Sequence, residues 1–113
     1  FDEAVGAVAA SPDGKVLAVG LTDPGRGAQN KVLLLDAATG ARLAALPVQR
    51  KGANSLAFSP DGRVLAVGFG GAVQVWDVKS RELVRLLRGF ERVVSSLAFS
   101  PDGKRLASGT QDG

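Results

Sequence analysis

With 113 residues, an apolar share of 45% and a formal net charge of +3, the chain has the composition of a domain that buries a core. It contains neither Cys nor His, which excludes disulfides, thiolate chemistry, the usual zinc and iron ligands and the commonest general base within this sequence. No apolar run is long enough to span a bilayer, no basic-then-apolar leader opens the chain, and its 14 basic residues are dispersed among 11 acidic ones rather than gathered into a nucleic-acid stripe.

The first predicted element is a strand over about 5–10, ending in VAASPDG (8–14). In this corner Ser suits the first position of a type I turn, Pro pre-sets φ at the second, Asp tolerates the third and Gly takes the positive φ that follows. KVLAVG (15–20) is the second strand. After the connection LTDPGRGAQNK (21–31) comes KVLLLD (31–36), and ARLAALPV (41–48) supplies a fourth strand at about 42–48. The pattern then repeats: a strand over 53–58, LAFSPDG (56–62), RVLAVG within 63–69, FGG (69–71), AVQVWD (72–77) and RELVRLLR (81–88). In AVQVW, Val73 and Val75 alternate with Gln74 and Trp76, as a pleated strand requires. RELVRLLR also fits a helix, since Leu83, Leu86 and Leu87 have helical spacing, but Pro47 in the matching segment favours a strand over 82–88. A third copy gives strands at 93–99 and 104–109 around LAFSPDG (97–103), and the sequence stops at QDG.

Three heptads spaced by 48 and 41 residues mark a repeat architecture. The runs SLAFSPDGRVLAVG…AVQVWDVKSRELVRLL (55–87) and SLAFSPDGKRLASGTQDG (96–113), with VWD at Val75–Asp77, resemble the WD40 repeat family. That resemblance implies an all-β fold, a partial β-propeller whose blades are four antiparallel strands a–b–c–d. Blade 1 is expected at about 5–48, blade 2 at about 53–88 and half of a third at about 93–113, all within one propeller domain spanning 1–113. The positions aligned with the family's His are Phe1, Gln49 and Phe90, so its His–Asp network cannot form here, and Leu35 stands where Trp is usual. Arg81 occupies the place at which Gly40 closes the corresponding c–d turn. The resemblance also leads us to expect an arc of a larger ring with large apolar faces at both ends, the rest being unordered or on another chain. The absent initiator Met fits a piece of something longer.

The carboxylates of Asp13, Asp61 and Asp102 are assigned to their own turns and not to catalysis. GRGAQNK lacks the Gly-Lys-Ser/Thr of a phosphate loop and a following helix, and GFGG (68–71) lacks a dinucleotide context, so no cofactor is expected. Lys79, Arg81, Arg85, Arg88 and Arg92 read as charges protecting an outer edge, without the interleaved aromatics a single-strand binder needs. Trp76, Phe58 and Phe99 are assigned to packing. The connection over 21–30 is seven residues longer than FGG (69–71), and the resemblance places b–c and d–a loops on the face that receives partners. The candidate partner-binding residues are therefore Asp23, Arg26, Gln29, Asn30 and Lys31, with Phe90, Glu91 and Arg92 from the second d–a loop.

The expected function is a protein–protein interaction scaffold or sensory module, cytoplasmic, partnered by proteins and by the remaining blades, with no membrane or nucleic-acid role. The alternative is a segment of an enzymatic propeller whose catalytic or metal residues lie in other blades. Richness in Ala, Gly, Arg and Val points to a high-GC bacterial source.

Overall fold

A computed structural model describes residues 4–22, 31–46 and 55–110, and its ordered elements are all strands. The first sheet runs in the order β1 (Ala4–Ala10), β2 (Val16–Thr22), β3 (Lys31–Asp36), β4 (Arg42–Leu46). The second runs β5 (Ser55–Phe58), β6 (Val64–Gly68), β7 (Gly70–Asp77), β8 (Glu82–Phe99), β9 (Leu106–Thr110). Every neighbouring pair is antiparallel. Within each sheet successive strands lie side by side, as antiparallel neighbours joined by short connections do. The helical alternative for RELVRLLR gives way to pairing: Arg85 faces Val75 and Leu87 faces Val73 across the ladder.

The three Ser-Pro-Asp-Gly corners are built alike. The Gly N–H donates to the Ser carbonyl at 2.9 Å in each, with Gly14, Gly62 and Gly103 at φ of 74, 73 and 74°. The Ser hydroxyl donates to the Asp carboxylate at 2.5–2.6 Å and accepts the N–H five residues on. The same carboxylate accepts the N–H of Lys15, Arg63 or Lys104. Ser and Asp thus satisfy each other and the N–H groups of the two residues after the Gly while the chain reverses.

Packing follows the pleat. Ala18, Val32, Leu34 and Leu46 on one face of the first sheet bury against Leu65, Val67, Phe69 and Trp76 of the second. The other face of the second sheet carries Ala66, Val73, Val75 and Leu87, and these meet Leu97, Phe99 and Leu106. β8 divides its service: Glu82–Arg88 is the outer strand of the second layer, and Val94–Phe99 pairs with β9 to start a third. Each layer therefore has a forward face, toward the next repeat, and a backward face. Counting from the corner Gly, Leu17, Leu65 and Leu106 face backward, and Ala18 and Ala66 face forward. The corners interlock in the same sense. A Cβ placed on Gly62 would meet Cδ of Pro12 at 3.6 Å, and one on Gly103 would meet Cδ of Pro60 at 3.5 Å.

Two expectations are corrected. The second d–a loop is not a loop in its backbone: the chain stays extended through Glu82–Phe99. Its pairing to β7 nevertheless skips from Arg88 to Val93 while β7 advances only from Ala72 to Gly70, so the residues between are carried past the ladder as an extended crossing. Nor do the two end faces present broad apolar surface among the described residues. On the backward face of the first sheet Val19, Leu33 and Leu35 are buried. The last hairpin exposes Ser96, Ala98 and Ala107, which are too small to form a large apolar patch.

Candidate functional site

An antiparallel meander puts alternate connections at opposite ends of its strands. One rim carries the three Ser-Pro-Asp-Gly corners and the c–d turns after Asp36 and Asp77. The other carries the β2–β3 connection, the turn at 69–72 and the β8 crossing. Asp23, Arg26, Gln29 and Asn30 lie outside the described residues. Lys31 opens β3 opposite Leu21, on the loop rim of the first sheet. Phe90, Glu91 and Arg92 fall in the crossing, between Arg88 opposite Ala72 and Val93 opposite Gly70, so the backbone brings them beside the β6–β7 turn. That turn is closed by the Phe69 N–H donating to Ala72 O at 2.8 Å, with Gly71 at φ 81°. Lys31 and the Phe90–Arg92 segment share a rim but belong to different sheets.

The corner rim is chemically committed. Hydroxyl donation from Ser11, Ser59 and Ser100, followed by backbone donation, holds the carboxyls of Asp13, Asp61 and Asp102 below the usual carboxylate range. Asp77 is lowered chiefly by the Ser80 N–H. Carboxylates serving their own turns are poor general bases, and the described residues hold no cluster of three potential metal ligands. A groove of about 390 Å³ lies between the first two corners, with Val16, Phe58 and Val78 among its lining residues. The described residues also contain no helix long and apolar enough to cross a membrane.

Two arrangements escape sequence reasoning. Trp76 is 5% exposed, as its packing assignment requires, and its indole N–H donates to Gln74 Oε1 at 2.9 Å. The signal was the period of two that puts both residues on one face, where a buried donor needs an acceptor. A second groove, of about 440 Å³, is lined by Val64, Val75 and Val84 together with Arg85, Lys104 and Arg105. Arg85 and Lys104 lie 19 positions apart in sequence, and only the third layer's placement unites them. The cations at Lys79, Arg81, Arg85 and Arg88 are all exposed along the outer strand and the turn before it, as edge protection requires.

Comparison with known proteins agrees with this architecture. The family described as "WD domain, G-beta repeat" matches residues 40–77 and 81–113. No curated protein sequence matches the chain. Among solved structures, the crystal structure of RRP9 WD40 repeats superimposes with a TM-score of 0.83 at 20% identity, covering 96% of this chain and 33% of that one. The β-propeller domain of Myceliophteria thermophila Cps50 (Swd1) gives a TM-score of 0.83 at 23% identity, covering 100% of this chain and 34% of that one. Kuenenia stuttgartiensis hydrazine synthase gives a TM-score of 0.83 at 23% identity over 97% of this chain and 30% of that one. The chain thus spans about a third of the length of these structures, and at such identities the likeness is one of fold. The first sheet, most of which lies before the matched residues, has the same strand order and the same corner as the second. With two matched segments, antiparallel sheets of successive strands and interlocked corners, the chain belongs to the WD40 repeat family.

Proposed function

We propose that these residues form an arc of one larger propeller that acts as a protein-interaction scaffold, cytoplasmic, with further sheets extending the stack. The observation that carries this reading is the contrast between the rims: one is built of three nearly identical, internally satisfied corners, and the other of connections that differ from repeat to repeat. Identical corners suit packing, and unlike connections on a packed scaffold suit recognition. The partner contacts are Asp23, Arg26, Gln29, Asn30 and Lys31 with Phe90, Glu91 and Arg92. The test is affinity capture with the intact protein, comparing a loop-rim variant (Arg26→Glu, Lys31→Glu, Arg92→Glu) with a corner-rim variant (Lys15→Glu, Lys104→Glu). Loss of partners only in the loop-rim variant is expected. Loss only in the corner-rim variant would reverse the assignment of faces.

The likeness to a hydrazine synthase supports a second reading, a structural segment of an enzymatic propeller whose catalytic or metal residues lie elsewhere. Elemental analysis of the purified intact protein separates the two. A stoichiometric transition metal favours the enzyme.

A further inference from the structure

The outer strands of the first two sheets carry a bulge at the same place. In the first, Leu34 faces Ala44 and Leu35 faces Arg42, so Leu43 has no partner across the ladder. In the second, Val75 faces Arg85 and Trp76 faces Leu83, and Val84 is the unpaired residue. A bulge of this kind bends the outer strand and re-aims its extra side chain. Leu43 is 48% exposed although the second sheet packs on the first, and Val84 is 60% exposed. The first sheet therefore shows what a following sheet leaves open. Ala38, Gly40, Arg42 and Leu43 are exposed beside one, so the equivalent Lys79, Arg81, Leu83 and Val84 stay accessible when a further sheet packs on theirs.

The two outer edges differ in chemistry. Over 37–45 the first has small residues, Leu43 and a single charge, Arg42. Over 78–88 the second has Lys79, Arg81, Arg85 and Arg88 against Glu82 alone, with Leu83, 44% exposed, and Val84 among the cations. The carboxylate of Asp77, just before this run, is engaged by the Ser80 N–H at 2.9 Å. Protection of an edge accounts for the cations but gives no reason to expose a leucine and a valine between them. Nor does it account for Arg81, which closes its turn at φ 63° where Gly40 closes the first. An arginine held there against backbone crowding points to a use for its side chain.

We propose that the outer edge of the second sheet, over 79–88, docks an acidic segment of a partner protein. The segment's apolar side chains rest on Leu83 and Val84, and its carboxylates meet Lys79, Arg81 and Arg85. Charge complementarity sets the sign of the partner, and the same cations repel a second copy of this edge. The bulge interrupts the register, so side chains rather than an added strand's hydrogen bonds carry recognition. A protein segment suits the surface better than a nucleic acid. Residues 78–88 include no aromatic ring on which a base could stack, and a phosphate backbone has no counterpart for the apolar pair. The surface is separate from the loop rim, because the turn over 78–81 lies at the other end of the strands.

The test is fluorescence anisotropy of the intact protein with a short labelled peptide of alternating glutamate and leucine. Binding that weakens with added salt is expected. Arg81→Gly and Leu83→Ala should each weaken it by at least about fivefold. Both positions are exposed, and emission from buried Trp76 verifies that each variant is folded. Arg42→Ala, which removes the charge of the first outer edge, should leave the affinity unchanged. A peptide that does not bind overturns the proposal. So does an equal loss in Arg42→Ala, or an unchanged affinity in Leu83→Ala. Tighter binding of an RNA oligonucleotide or of phosphatidylserine vesicles than of the peptide also overturns it. If peptide binding fails while loop-rim capture succeeds, the scaffold reading stands and this surface alone is lost.

Discussion

At the scale of single residues, the c–d turns show what a side chain costs at a position shaped for glycine. Gly40 and Arg81 close equivalent turns, donating to Asp36 O and Asp77 O at 2.7 and 2.8 Å, and both have positive φ, 76 and 63°. The left-handed region crowds the Cβ of Arg81 against its own backbone. Arg81→Gly is expected to stabilise the chain by about 1 kcal/mol, read as a higher urea midpoint at unchanged slope. The corner aspartates set the pH response. Their folded pKa lies below the unfolded value, so their contribution is fully present above about pH 4 and is lost as pH falls through the lower, folded value. The urea midpoint should therefore drop on acidification below about pH 4, and Asp61→Asn should lower it at neutral pH while flattening that dependence. An unchanged pH profile in Asp61→Asn would remove this corner as a source of acid sensitivity.

At the scale of strands and sheets, burial ranks the positions. Leu65 is fully buried between the first two layers, so Leu65→Ala should cost about 2–5 kcal/mol. Leu83 is 44% exposed on the outer strand, and Leu83→Ala should stay within about 0.5 kcal/mol, both read by urea denaturation. Much of this level was legible beforehand. KVLLLD, bounded by turn residues, is found as β3 at the expected limits, and the three corners follow from residue type alone. The repeat alignment places a loop after Arg88, and only the partner ladder reveals an extended backbone there. The volume of the end faces was misjudged for a related reason. Apolar periodicity identifies which residues face a neighbour, but alanine and leucine count alike in such a pattern, and their areas differ greatly. The candidate partner residues drew on no periodicity at all, since binding loops are chosen by the shape of a second molecule that the sequence does not encode.

At the scale of the whole molecule, the layers are joined mainly by side-chain packing, and Trp76 reports that packing from between the first two. Contacts between nearest neighbours alone make layers unfold together when the interfaces are strong relative to each layer's own stability. The buried clusters at both junctions predict one transition, with the red shift of Trp76 emission coinciding with loss of far-ultraviolet circular dichroism. An emission change that precedes the loss of strand signal would mean that the first sheet detaches as a unit. The repeated direction of the corner contact, proline forward and glycine backward, also bears on how such a gene changes over time. Duplicating or deleting one full period leaves every remaining junction with a matching pair of surfaces, whereas a change of half a period sets two like faces together. Unequal recombination between periods can therefore lengthen or shorten the array in a single event, and no compensating substitution is needed at the new seam.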